Sequence, residues 1–313
     1  MNTQTTESVV QIKIVGVGGG GTNAVERMLD SSIPMVEYVT INTDDSSYRD
    51  SGAKTKLQIG KKETKGRGAG ADPEKGLRSA EENRKEIEEV LKGCDMVFIT
   101  AGMGGGSGTG AAPVVAEIAR KLGILTVAVV TTPFAFEGKR RMECAVSGIS
   151  RLEKFTDSVV VIPNENLKKI SQTKLTLSNA FEIADSVLVQ TVKNLVELIQ
   201  KTAYINCDFA DVRSIVENSG SMHTATGIAS GADRGDKILK QITSSALLGS
   251  SVDGAESILL CITAAEDVEL DEIDMITSTL TSMASPDANI IFGVDLDGAS
   301  KDEMKVVLIA TRK

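Results

Sequence analysis

The sequence predicts an α/β protein: a doubly wound, mostly parallel sheet, then a long helix, then a second and smaller α/β domain. Three observations carry that prediction. Apolar runs of strand length alternate with helical or glycine-rich stretches through the first half of the chain. A later stretch keeps apolar residues at helical spacing for about six to seven turns at 3.6 residues per turn. Beyond it the texture changes to strands with one amphipathic helix among them.

In order, the strand-like runs are "QIKIVGVG", "EYVTINTD", "DMVFITAG", "ILTVAVVTTP" and "DSVVVIPN". Their alternation with helical or glycine-rich stretches is the mark of a mostly parallel, doubly wound sheet. The long helix is "LSNAFEIADSVLVQTVKNLVELIQKT", Leu177 to Thr202, with Ser178 as its expected N-cap. After it, "ESILLCITAAED", "ANIIFGVDL" and "MKVVLIATRK" read as strands and "VELDEIDMITSTLTSMA" as a helix. The expected divisions are 1–176, 177–202 and 203–313, with no internal repeat.

Composition narrows the function classes. The 313 residues, 41% of them hydrophobic, suffice for one large or two packed domains. A net charge of -9 argues against a nucleic-acid or anionic-membrane binder, which presents a basic face. Cys94, Cys144, Cys207 and Cys261 form no CxxC pair, which favours a reducing compartment over a zinc site or a disulfide framework. The polar start "MNTQTTESVV" lacks a signal core and no run reaches membrane-spanning length, so a cytoplasmic protein without membrane insertion is expected.

Two glycine clusters each follow a strand and open a helix. In "GMGGGSGTGAAPVVAEIA", Gly104, Gly105, Gly106, Gly108 and Gly110 leave the backbone bare, while Ser107 and Thr109 add hydroxyl donors. Backbone N–H groups at a helix start can then lie against a phosphate. The plain alternative is a flexible turn, an unusual feature between a buried strand and a long apolar helix. In "GVGGGGTNAVERM", Gly16, Gly18 and Gly21 satisfy GxGxxG, and Asp44 ends the next strand where a dinucleotide site has its ribose acid. An NAD(P)-dependent oxidoreductase is therefore a rival reading, although it leaves the second loop unexplained. No GxxxxGK[ST] motif is present.

Together with "INTD", "GRGAGADP", "TTPFAFEGKRRM", "VVIPNENL", "FEIADSVLVQTV" and "NCDFADV", these clusters resemble the FtsZ family, the bacterial branch of the tubulin superfamily. The resemblance runs from about Gln11 to the end. It implies a tubulin/FtsZ-like fold with a Rossmann-like GTP-binding domain, a central helix and a C-terminal activation domain. It also implies a self-assembling GTPase that forms head-to-tail homopolymers for cell division at the division site, with GTP/GDP and Mg²⁺ as cofactors. A GTP-gated filament with negligible hydrolysis is the alternative inside the same family. After Lys313 the family's usual linker and adaptor-docking peptide are absent, so division-ring adaptors are expected of a full-length form.

By the same resemblance, Gly19, Gly20, Gly21 and the Gly104 to Gly110 loop hold the phosphates, and the "GRGAG" turn, with Ala69 and Gly70, senses the γ-phosphate side. Glu137 and Arg141 hold the ribose. Asn23, Asn164 and Asp185 read sugar and guanine, with Phe181 stacked on the base. Guanine offers two N–H donors that one carboxylate can accept, which makes Asp185 the specificity residue. Asp208 and Asp211, in "CDFADV", orient the attacking water in a neighbouring subunit; read locally, they are an acid pair capping a helix. Ser107 and Asp72 stand where the family more often has Thr and Asn. The single histidine, His223, lies in the polar stretch "SGSMHTATG" and is expected to be a solvated surface residue.

Overall fold

The computed structural model of the chain describes residues 10–31, 33–170, 175–200, 205, 208–243, 251–266, 268–296 and 302–312. The expected helix end at Thr202, the boundary at Ala203 and Cys207 lie outside the described residues. One sheet of ten strands runs through the molecule: β1 (Ile12–Val17), β2 (Val36–Asn42), β3 (Thr55–Gln58), β4 (Met96–Gly102), β5 (Leu125–Thr132), β6 (Ser158–Pro163), β7 (Gly220–Ser230), β8 (Ser257–Ala264), β9 (Asn289–Asp295) and β10 (Glu303–Arg312). Their order is β3-β2-β1-β4-β5-β6-β7-β10-β8-β9. Strands β1 to β6 pair in parallel, whereas β10 runs antiparallel to both β7 and β8.

The helices that matter below are α1 (Gly18–Asp30), α2 (Pro73–Glu82), α3 (Ser107–Lys121), α4 (Lys139–Leu152), α5 (Leu177–Gln200), α6 (Phe209–Val216), α7 (Arg234–Thr243) and α8 (Leu270–Met283). Period-two alternation sorts the strand side chains onto two cores. Ile12 and Ile14 of β1, Phe98 of β4 and Val127 of β5 join Val25 of α1 and Leu195 of α5 on one face. Val15, Val17, Val97, Ile99 and Ala128, one position out of phase, meet Ala111 to Ala119 of α3 on the other. A third core packs α7 and α8 against β8 and β10. Among the described residues no helix is long and apolar enough to cross a membrane.

Two expectations change, those for His223 and for Ser178. His223 is not a solvated surface residue: it is 3% exposed on β7, whose residues from Met222 to Ala225 are all buried and paired with β10. Ser, Thr and His make that stretch look polar, but its alternating β-branched threonines suit a central strand. The sheet runs on from the first half into the second, because β7 continues β6 through Ser158–Gly220 and Val159–Ser221. Ser178 is not the cap of the long helix, which starts at Leu177; the Thr176 N–H donates to Asn179 Oδ1 at 2.8 Å, so the capping position lies before Leu177.

Candidate nucleotide site

Strand order reverses between β1 and β4, which are neighbours although they are not consecutive in the chain. The helix after β1 packs on one face and the helix after β4 on the other. A crevice therefore opens beyond the carboxyl ends of these two strands, the switch point where doubly wound folds bind ligands. Both helix starts face it. Neither α1, after Val17, nor α3, after Gly106, has a side-chain cap. Their first-turn N–H groups and positive dipole ends are thus available to an anion.

The crevice is a cleft of about 350 Å³, in the usual range of small-molecule sites. Gly19, Gly20, Gly105, Gly106, Ser107 and Gly108 form its floor. Asn23, Glu137, Arg141, Asn164, Phe181 and Asp185 form its walls. Residues separated by more than 150 positions are brought together here because α5 returns across the face that carries α1.

Other expected residues stand behind this lining. Gly104 (φ +97) turns the loop where a Cβ would lie 2.7 Å from Arg141 O. Its N–H donates to Thr109 Oγ1 at 2.8 Å, so this buried hydroxyl braces the loop. Gly21 lets α1 rest on β4, since a Cβ there would lie 2.4 Å from Thr100 O, and Gly110 lets α3 rest on α2. Ala69 is buried behind Gly106, and Gly70 (φ +62) turns the chain beside it. Ser107 Oγ and Thr43 Oγ1 share a hydrogen bond of 2.6 Å, tying the floor to the end of β2.

The wall residues are differently held. Glu137 Oε1 accepts from the Phe134 N–H at 2.8 Å, and Oε2 pairs with Arg141 Nη1 at 2.8 Å. Phe181, 43% exposed, stands edge-on to Phe134 with one side open. The buried Asn164 Oδ1 meets no hydrogen-bond partner among the described residues, a costly state for an acceptor until a ligand donor reaches it. Burial pushes the Asp185 carboxyl above its ordinary range, while the charge and hydrogen bond of Arg27 pull it back.

Sequence reasoning missed Arg27, whose Nε lies 3.4 Å from Asp185 Oδ2, and the lining by Met103, Thr131, Thr132 and Pro133. The signal for Arg27 was its place one helical turn after Asn23, on the same face of α1. Asp44 is not placed as a ribose acid. It lies outside the cleft lining, and its Oδ1 accepts from the Ser46 hydroxyl and the Ser47 N–H, so that the Ser47 N–H first of all lowers its pKa.

Asp208 and Asp211 are not in the cleft. They form a reciprocal capping box at the start of α6: Asp208 Oδ1 accepts from the Asp211 N–H at 2.9 Å, and Asp211 Oδ2 from the Asp208 N–H at 3.0 Å. One oxygen of each carboxylate is thereby engaged. The α6 end of the molecule is opposite the cleft. Gln200, which closes α5, donates to Met35 O ahead of β2, and Asn218, after α6, donates to Asp157 ahead of β6.

Residues 11–172 match the family model described as the Tubulin/FtsZ family GTPase domain, and residues 220–312 match that of the FtsZ family C-terminal domain. The chain belongs to the tubulin/FtsZ family. The FtsZ of M. jannaschii, solved as an empty dimer, is similar at 42% identity over 98% of this chain and 89% of that one, with a TM-score of 0.89. A point mutant of the same FtsZ gives 43% identity over 96% and 91%, with a TM-score of 0.88. CetZ2 from Haloferax volcanii, solved as a GTPγS-bound protofilament, has a TM-score of 0.81 over 97% and 94%, and at 17% identity that likeness concerns the fold alone. The GTPase-domain match covers the glycine-rich floor of the cleft, and membership of the tubulin/FtsZ family overturns the oxidoreductase reading.

Proposed function

We propose that this chain binds GTP and Mg²⁺ in the cleft, assembles head to tail with its own copies, and hydrolyses GTP at each junction. The observation that carries this reading is the placement of cleft and acids at opposite ends of the molecule. Helix α5 alone has 24 residues, about 36 Å at 1.5 Å per residue. Asp208 and Asp211 cannot reach the cleft of their own copy. A cleft on one end and acids on the other make a heterologous contact, which propagates as an open filament.

In this reading the uncapped starts of α1 and α3 take the phosphates, Glu137 and Arg141 hold the ribose, and Asn23, Asn164 and Asp185 read sugar and guanine while Phe181 stacks on the base. The free oxygens of Asp208 and Asp211 from the next copy orient the attacking water. Phosphoryl transfer asks little more of a protein than such positioning and charge stabilisation. The described residues contain no group of three His, Cys, Asp or Glu fit to hold a metal. Their donor set fits a Mg²⁺ bound mostly through phosphate oxygens and water, with the Ser107 hydroxyl nearby; when bound, the ion neutralises phosphate charge. Domain limits of 1–176, 177–202 and 203–313, action at the division site and recruitment by adaptor proteins belong to the same reading.

The test mixes two inactive variants. Asp211→Ala binds GTP but supplies an incomplete acid pair, and Gly105→Val cannot bind GTP but keeps both acids. In an equal mixture, random head-to-tail pairing makes about one junction in four productive. Turnover returns on mixing. Co-sedimentation of both variants without turnover would exclude catalysis between copies.

A further inference from the structure

We infer that Arg27 is a positioning residue that determines the base specificity of this site, by holding the Asp185 carboxylate in the orientation and ionic form that read guanine. The inference rests on the GTP reading of the cleft and extends it to a residue outside the cleft lining. Helices α1 and α5 pack on the same face of the sheet and present two facing pairs, each one turn apart: Asn23 and Arg27 on α1, Phe181 and Asp185 on α5. Asn23, Phe181 and Asp185 line the cleft, and Arg27 stands directly behind Asp185.

Arg27 Nε lies 3.4 Å from Asp185 Oδ2, and Arg27 Nη2 lies 3.9 Å from Glu182 Oε1. The guanidinium therefore touches the carboxylate on one oxygen. An ionised carboxylate has about four lone-pair sites, so Oδ2 can keep Arg27 while both oxygens accept from a base. The charged groups acting on Asp185 are Arg27 from α1 and Glu182 from its own helix. Burial favours the neutral acid, Glu182 adds to that tendency, and Arg27 opposes it.

The two protonation states read different bases. A carboxylate is acceptor-only and matches guanine, which presents N1–H and N2–H side by side. A neutral carboxyl carries one donor and one acceptor, which matches adenine, with its N1 acceptor beside its N6–H donor. Protonation of Asp185 thus exchanges guanine complementarity for adenine complementarity. By opposing the effect of burial, Arg27 shifts that exchange toward acid.

The test is a competition titration of GTP and ATP against a fluorescent guanine nucleotide from pH 5 to pH 8. It uses the intact chain and its Arg27→Gln, Arg27→Lys and Glu182→Gln variants. The ratio of the two affinities cancels the titration of the phosphates, which both ligands share. In the parent chain the preference for GTP falls in acid. Arg27→Gln moves that fall up by about one pH unit, the low end for loss of an opposite charge at a half-exposed contact, and reduces the preference near neutrality. Arg27→Lys restores part of the shift, and Glu182→Gln, at an exposed position, moves the fall the other way. If Arg27→Gln weakens GTP and ATP by the same factor with the fall unmoved, Arg27 only packs and the inference is overturned. Should Arg27→Gln not fold, an unmoved fall in both Arg27→Lys and Glu182→Gln overturns it equally. A parent chain without preference for GTP at any pH would overturn the GTP reading itself, and the role of Arg27 with it.

Discussion

Alanine at Gly105 and alanine at Gly110 produce opposite phenotypes although both residues belong to one glycine cluster. A Cβ built on Gly105 meets nothing within 4 Å, and Gly105 is not among the residues of positive φ. Alanine there leaves the fold intact, and by restricting the unfolded chain adds about 0.4–1 kcal/mol of stability. The same methyl occupies the space in which a phosphate would approach the backbone. Loss of one charge-assisted hydrogen bond, about 1.5–3 kcal/mol, weakens GTP binding by about 10- to 100-fold. A Cβ on Gly110 would lie 2.0 Å from Pro73 O and 2.6 Å from Leu77 N. Both are backbone atoms of α2, so no side chain can rotate away and the two helices must part. Overpacking of this kind costs about 3 kcal/mol, or roughly 6–12 °C of melting temperature at 2–4 °C per kcal/mol. Thermal melting with and without GTP separates the two. Gly105→Ala melts no lower than the parent chain without nucleotide and loses most of the upward shift with GTP. Gly110→Ala melts lower and keeps the shift. A full GTP shift in Gly105→Ala, or a parental melting temperature in Gly110→Ala, would refute the division of the glycine cluster into a ligand-facing and a packing part.

Asp185→Asn raises the melting temperature of the nucleotide-free chain at pH 7 and removes the preference for GTP over ATP. The raised folded pKa of Asp185 means that its ionised form is held at a cost above that pKa, and that the native state recovers the loss by taking up a proton as pH falls through it. The gain from Asn therefore shrinks toward acid, and a gain that grew on acidification would contradict this sign. Asp208→Ser keeps an N-cap hydroxyl, so α6 and the melting temperature are preserved, while turnover falls by about 10²–10⁴-fold; unchanged phosphate release would remove Asp208 from the reaction. Burial pushes the Cys94 thiol up to about 11, whereas Cys144 is only half buried. Iodoacetamide at pH 8 modifies Cys144 in the native chain and reaches Cys94 only in denaturant, which peptide mass mapping checks.

The parallel half of the fold was legible because its signals are local. A buried strand such as β5, with every residue inside, reads as a run of aliphatic residues and threonines without a charge, and a glycine cluster at a helix start reads as exposed backbone. Strand β3 was not expected, since "TKLQ" is half-buried and too short for a pattern to show. Strand β7 was hidden because its centre is made of Thr and His, whose burial depends on the neighbours β6 and β10. Arg27 shows where sequence reasoning stops at the site. Its helix face was readable, but that the face meets α5 at Asp185 is a fact of tertiary packing. The capping box of Asp208 and Asp211 was available as a plain local alternative, and the single chain contains that box. A local structural role does not compete with a role toward a second copy, because the box uses only one oxygen of each acid.

On the proposed reading, this geometry fixes where in a filament chemistry occurs. Each cleft is completed by the acids of a neighbour, so a filament of n copies has n−1 complete sites, and a lone copy has none. The copy whose cleft faces solvent at one end has everything needed to bind GTP and lacks the carboxylates that orient the water. Its nucleotide persists while those at internal junctions are consumed. The opposite end exposes the acids with no nucleotide in front of them. The two ends therefore differ in chemistry as well as in shape, although every copy is identical. Turnover scales with junctions, so it rises more steeply than protein concentration where filaments begin to form, and becomes proportional to it once filaments are long. That crossover follows from the length of α5, which separates the base-reading residues near its first turns from the acids beyond its far end.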